Sequence, residues 1–293
     1  MNKFFEWFSS FKLKNMKKLA FFVLLSLIAL FTFGQIKVAS EKYIADFKKT
    51  TTLLVIDENN FSEFNEVIET CMKNFWKITP YEVLNVNDFE KKRKDPKYSF
   101  IILSEASMKH FDNFYSFNIL NFVLGSNTSS MDEMPDLGSV PLSYVEVDED
   151  SYLYKMGAFL MYMQLNITNP ELNESIKVQN LKDVCSPDLK NKELWFVEED
   201  LATDVNTIEK IKKIYPYAVK IVTAEDIEKA IFDKNAKVAL LHKVGPEGTE
   251  TKGYCMNFII AAKDGQLLYS HDHKIDADSP DAFLIKDFKK IGK

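Results

Sequence analysis

Leu53-Leu54-Val55-Ile56-Asp57-Glu58 and Leu194-Trp195-Phe196-Val197-Glu198-Glu199 are the two stretches on which the fold turns. Each is a short apolar run closed by a pair of acids, the pattern of a buried strand that ends at solvent. Outward from the first, Asn60 with Glu63 three positions later predicts a capped helix to about Trp76. Its apolar residues Phe61, Phe64, Val67, Ile68, Cys71, Met72 and Phe75 follow helical spacing. Residues 80–86 read as a second strand, 88–94 as a short charged helix and 98–103 as a third strand. Two further strands, 114–124 and 140–147, flank a polar loop, and an apolar helix over 149–165 closes the half.

Outward from the second stretch the same order returns. A helix over 204–215 precedes Pro216-Tyr217-Ala218-Val219, which matches Pro80-Tyr81-Glu82-Val83. Thr223 and Asp226 cap a helix over 225–232, and 238–241 is the third strand. Residues 254–262 and 266–273 form a hairpin about Asp264-Gly265, read as a two-residue turn, and Ser279-Pro280 start a final helix. The expected fold class is α/β (α+β), with two tandem, similar β-α-β-α-β-β-β-α units and mixed sheets. The first unit is 35–168 and the second 193–293. The linker 169–192 contains Pro170 and Pro187. The alternative is one continuous α/β domain whose halves are alike by chance.

Residues 1–34 are a leader of different composition. They hold eight of the 24 Phe, five of the 37 bases and one of the 43 acids, leaving 32 bases against 42 acids elsewhere. So acidic a body argues against general nucleic-acid binding, which needs clustered Lys and Arg. Met16-Lys17-Lys18 before the apolar run Leu19 to Phe33 has the form of a secretory signal, with cleavage expected after Gly34 and translation starting at Met16. The run is too short for a membrane span, which takes about 20 apolar residues, so none is expected after cleavage. The implied location is the periplasm or cell surface. Cys71, Cys185 and Cys255 are odd in number and far apart, and read as free thiols rather than a disulfide framework.

Reactive motifs are scarce. His271-Asp272-His273, with Asp276, Asp278 and Asp281 nearby, is the one dense group of ligand types, and alternate strand residues share a face. Glu146 and Asp148 occupy the matching places in the first half, so a polar strand end is the preferred reading and no metal site is assigned. Asp57/Glu58 and Glu198/Glu199 stand at equivalent strand ends and are the carboxylates available for acid–base work. Gly245-Pro246-Glu247-Gly248 has the glycines of a phosphate loop without its Gly-Lys-Ser/Thr ending and reads as a plain connection. Lys91-Lys92-Arg93-Lys94 reads as a solvated helix face. The apolar helix 149–165 is expected to pack between the units or against a partner.

No catalytic or cofactor-binding residue and no cofactor is assigned. The expectation is an exported non-enzymatic protein binding a protein or small ligand in the cell envelope, as a monomer or homodimer, without nucleic acid. Two alternatives are an exported hydrolase using the strand-end carboxylates or a metal at His271 and His273, and a structural envelope component that assembles with itself.

Overall fold

The computed structural model describes residues 41–57, 62–110, 113–169, 181, 183–248 and 252–293. The leader and export signal, Asn60, Glu58 and Pro170 lie outside the described residues. After helix α1 (Glu41–Phe47), the chain forms β1 (Thr51–Ile56), α2 (Glu63–Phe75), β2 (Tyr81–Asn85), α3 (Val86–Lys92), β3 (Tyr98–His110), β4 (Asn113–Leu124), β5 (Val140–Tyr144) and α4 (Met156–Thr168). It continues with β6 (Val184–Cys185), β7 (Glu193–Phe196), α5 (Ile208–Lys212), β8 (Val219–Ile221), α6 (Ala224–Phe232), β9 (Val238–Val244), β10 (Tyr254–Ala261), β11 (Leu267–Lys274) and α7 (Ile285–Ile291).

These strands make two mixed sheets, as the α/β reading requires. The first has the order β2-β1-β3-β4-β5 and the second β6-β11-β10-β9-β7-β8. In the first, β1 is parallel to β2 and β3, while β4 and β5 follow antiparallel. In the second, β7 is parallel to β8 and β9, while β10 and β11 follow antiparallel. From the parallel edge inward the two orders are the same. The expected linker contributes β6, which pairs antiparallel with β11 and extends the second sheet by one strand.

Helices α2, α4 and α6 share one apolar core with the facing sides of both sheets, including Leu54, Ile101, Phe122, Leu240, Met256 and Phe258. Helix α4 is apolar around nearly its whole circumference, as an element between two sheets should be. The buried Gln164 amide ties it to α2: it donates from Nε2 to the Phe75 carbonyl at 3.0 Å and accepts from the Lys77 N–H at 2.7 Å. Separate clusters cover the far sides. Phe89 and Phe100 lie on the first sheet, and Phe196, Tyr269, Phe283 and Phe288 on the second. The halves are also joined by polar contacts. The Tyr144 hydroxyl donates to the Tyr254 carbonyl at 3.0 Å and accepts its N–H at 3.2 Å, and His242 Nε2 meets the Pro141 carbonyl at 2.9 Å.

Several boundaries depart from the sequence reading for local reasons. Ser62 caps α2, accepting from the Asn65 N–H. The expected helix over 149–165 begins as two 3₁₀ turns, Glu149–Ser151 and Leu153–Lys155, because Asp148 caps the first and Tyr152 leaves helical backbone. Helix α5 is confined to Ile208–Lys212 by the Thr207 cap. Ser279-Pro280 do not start the last helix. The Asp276 carboxylate accepts from the Asp278 and Ser279 N–H groups and closes a turn there. Helix α7 instead begins after Leu284, whose N–H the Asp287 carboxylate accepts at 2.8 Å. The turn between β10 and β11 is longer than two residues. Gly265 takes φ +76°, and a Cβ there would lie 2.2 Å from the Tyr162 nitrogen of α4. The basic run is also more than a solvated face. Arg93 is buried, paired with Glu90, and donates to the carbonyls of Thr128 and Ser129.

Candidate functional site

A strand order of 8-7-9 sends one connection left of β7 and the next to its right, leaving a switch point at the carboxyl ends of β7 and β9. Open α/β sheets bind ligands at such points. In this chain the place holds charged side chains of the protein itself. Beyond β7, Glu198 and Glu199 are exposed, but the 3₁₀ turn they open rotates Asp200 inward, where it is buried. From the end of β9, Lys243 projects on the same side as Leu241 and Ala239 into the outer layer of the second sheet. Its ammonium lies 3.7 Å from Asp200 Oδ1, 3.4 Å from Asp281 Oδ2 and 3.6 Å from Glu247 Oε1. Lys155, just ahead of α4, extends the chain from the other side, 4.0 Å from Asp200 Oδ2 and over the Tyr154 ring. The sequence Lys155–Asp200–Lys243–Asp281 thus alternates in sign, and all four side chains are nearly inaccessible.

The glycine-bearing loop serves this cluster. The Glu247 N–H donates to Asp281 Oδ2 at 2.7 Å, so the loop cradles an anion, and the anion is the chain's own carboxylate. A Cβ on Gly245 would sit 1.8 Å from Asp281 Oδ1, so only glycine admits the carboxylate this closely. Burial alone would push the Lys243 ammonium down, but Asp200, Asp281 and Glu247 outweigh it and hold it well above the usual lysine range. Lys243 therefore stays charged and is not a nucleophile. Beside it, burial and Asp281 push the Cys255 thiol well above its ordinary value, so it remains a thiol rather than a reactive thiolate.

The residues singled out in the sequence separate in space. His271 and His273 lie opposite Asn257 and Cys255 on one side of β11, as alternation requires. They take different partners: His271 Nδ1 meets Asp183 Oδ1 at 2.9 Å, and His273 Nε2 meets the Pro280 carbonyl at 2.9 Å. His273 is buried, so the strand end is not the solvated one expected. Among the described residues no three His, Cys, Asp or Glu are placed to hold a metal ion. Asp276 caps its turn, Asp278 is exposed, and Asp281 belongs to the charge chain. Asp57 accepts from the Asn65 side chain at 2.9 Å at the end of β1. The buried, ion-paired acid at the second strand end is Asp200, one residue past the pair the sequence drew attention to. A visible signal was His242-Lys243 inside an otherwise apolar run.

The first sheet has its switch point between β1 and β3, and there the chain does something different. β1 pairs with β3 only as far as Val55 opposite Ile102, while β3 continues to His110, paired with β4 as far as Asn113. The ends of β3 and β4 form a two-stranded arm rising past the carboxyl edge of the parallel strands. Phe114 on it is 72% exposed. Tyr115 anchors the arm, its ring centroid 5.9 Å from that of Tyr144 and 5.8 Å from that of Tyr254.

Comparison with known protein families, with curated proteins and with solved structures finds no match. No helix among the described residues is long and apolar enough to cross a membrane.

Proposed function

We propose that this chain is an exported, non-enzymatic protein of two duplicated α/β units that binds a protein partner in the cell envelope through the β3–β4 arm. The observation that carries the reading is the arm itself. Phe114 stands 72% exposed on a ribbon whose β3 strand runs on past its pairing with β1, and a strand edge that outruns its neighbour is a ready template for another chain. The contrast between the two switch points supports it. The one in the second sheet is filled by Asp200, Lys243 and Asp281, which leaves the contact role to the first. The shared strand order of the sheets supports duplication, and the basic and apolar segments of residues 16–34 support export.

Two measurements test this reading. N-terminal sequencing of the protein from its producing cell is expected to begin at Gln35; a chain retaining Leu19 to Phe33 overturns export with cleavage. Cross-linking in the native envelope, followed by mass spectrometry, is expected to trap a partner with wild-type protein and to lose it with Phe114→Ser. Equal capture by both proteins removes the arm as the contact.

A further inference from the structure

The free side of the β3–β4 arm carries its own complement. Along β3, backbone direction is fixed by two bonds at its base. The Lys97 carbonyl accepts from Thr51 on the β1 side at 3.1 Å, and the Tyr98 carbonyl accepts from Gly125 on the β4 side at 2.8 Å. Odd-numbered residues therefore turn their N–H and C=O toward β1, and even-numbered ones toward β4. The β3–β4 register runs unbroken to His110, so the alternation holds to the end of the arm. Past Ile102, β1 no longer pairs with β3, and among the described residues no other strand pairs with β3 on that side. The backbone groups of Glu105, Ser107 and Lys109 face that open edge, and their side chains are exposed.

The spacing of the two charges decides what fits there. Two strands of the same sequence, placed antiparallel about a twofold axis at Ser107, set each Glu105 opposite the Lys109 of the other copy. These would be hydrogen-bonded pairs, with side chains on the same face and opposite charges in contact. Ser107 would face itself, beside the Ser107–Ser116 hydroxyl contact of 2.8 Å that each arm already has. We propose that the open edge of β3 over residues 105–109 pairs with the same edge of a second copy of this chain, making a symmetric dimer with a sheet continuous across it. The contact is isologous, so it closes at two copies and does not grow into a fibre. It rests on the arm being a contact surface, and names the occupant of its edge.

Sedimentation velocity of the purified protein over the micromolar range tests it. The wild-type protein is expected to reach twice the chain mass. Glu105→Lys sets like charges opposite each other at both symmetric positions and is expected to weaken the dimer about tenfold at low salt. Glu105→Lys combined with Lys109→Glu recreates the pairs in reverse and is expected to restore it. Ser107→Pro removes an N–H that faces only the open edge, so the arm's own ladder survives while the dimer is lost. Thermal melts of each variant, matching wild type, confirm that the fold is intact. A wild-type monomer at every concentration, or a double variant no better than Glu105→Lys, overturns the proposal. A monomeric protein that still captures an envelope partner through Phe114 overturns the dimer alone. A dimer that captures nothing sinks the partner reading and leaves the dimer standing.

Discussion

Lys243 Nζ lies 3.4 Å from Asp281 Oδ2, 38 residues further along the chain. The pair fastens the segment ahead of α7 over the carboxyl ends of β7 and β9, with Asp200 on the other side of the ammonium. A buried ion pair adds little over an apolar pair of the same shape, but removing one member strands the other. Lys243→Met leaves Asp281 without its cation and Asp200 with Lys155 alone, and is expected to cost about 3–5 kcal/mol in urea unfolding. Asp281→Asn keeps the shape and leaves Lys243 with Asp200 and Glu247, so its cost is expected to be smaller, about 1–3 kcal/mol. Changes below about 0.5 kcal/mol in both variants would mean the cluster does not hold that segment down.

His242 sets a pH dependence of stability. It is fully buried between Phe159 and Phe258. Burial first, then the Lys155 and Lys243 charges, push its pKa down to about 3, against the Pro141 hydrogen bond, which favours the proton. The unfolded chain binds this proton near pH 6.5, and the folded chain only near pH 3. The stability supplied by the neutral ring is thus complete above about pH 6.5 and is lost progressively as pH falls toward 3. By pH 4.5 the loss is expected to be about 2–3 kcal/mol. His242→Leu should flatten that part of the profile while lowering stability at pH 7 through the orphaned Pro141 carbonyl. A variant profile parallel to wild type between pH 7 and 4.5 contradicts the assignment.

Thiol chemistry should distinguish the three cysteines. All are free, with Cys185 exposed and Cys71 and Cys255 buried. Burial pushes the Cys71 thiol up to about 12 and the Cys255 thiol well above its ordinary value, so neither supplies thiolate at neutral pH. Titration with an aromatic disulfide reagent is expected to show one fast thiol in the native protein and three in denaturant, with the fast one absent in Cys185→Ser. A second fast thiol in the native state would mean that one of the buried sites opens readily.

The succession of strands and helices along the chain was legible because apolar runs and their turn residues are local signals, as at Leu53–Ile56 and Thr223–Phe232. What was hidden depends on distance in sequence. Asp200 looks like a third acid after Glu198 and Glu199 until the 3₁₀ turn shows that it alone points inward. Lys155 reads as a stray charge at the head of an apolar helix, and its partner lies 45 residues away in the other half. Ser279-Pro280 is a sound helix start by composition, but Asp276 draws the Asp278 and Ser279 N–H groups into a turn, and the Ala282 N–H bonds to the Pro280 carbonyl rather than to a Ser279 cap. The length of β3 was missed because Ser104–His110 carries no apolar run. Strand structure there comes from pairing with β4 rather than from burial.

Tyr144 joins the last strand of the first sheet to β10 of the second through a single hydroxyl that both donates to and accepts from Tyr254. Burial raises its pKa well above the ordinary tyrosine range, so the group stays protonated and can do both at any working pH. Tyr144→Phe keeps the ring packed on Phe117 and Tyr115 but leaves the Tyr254 N–H and C=O without this partner. The expected cost is about 1–3 kcal/mol, the range for stranding a buried backbone donor. Its location makes the readout specific. Hydrogen exchange should accelerate at Tyr254 and at the β5 amides beside it, while the β1–β2 and β7–β8 amides keep wild-type rates. Uniform acceleration across both sheets would show that the loss is global and that Tyr144 is not a discrete link between the halves.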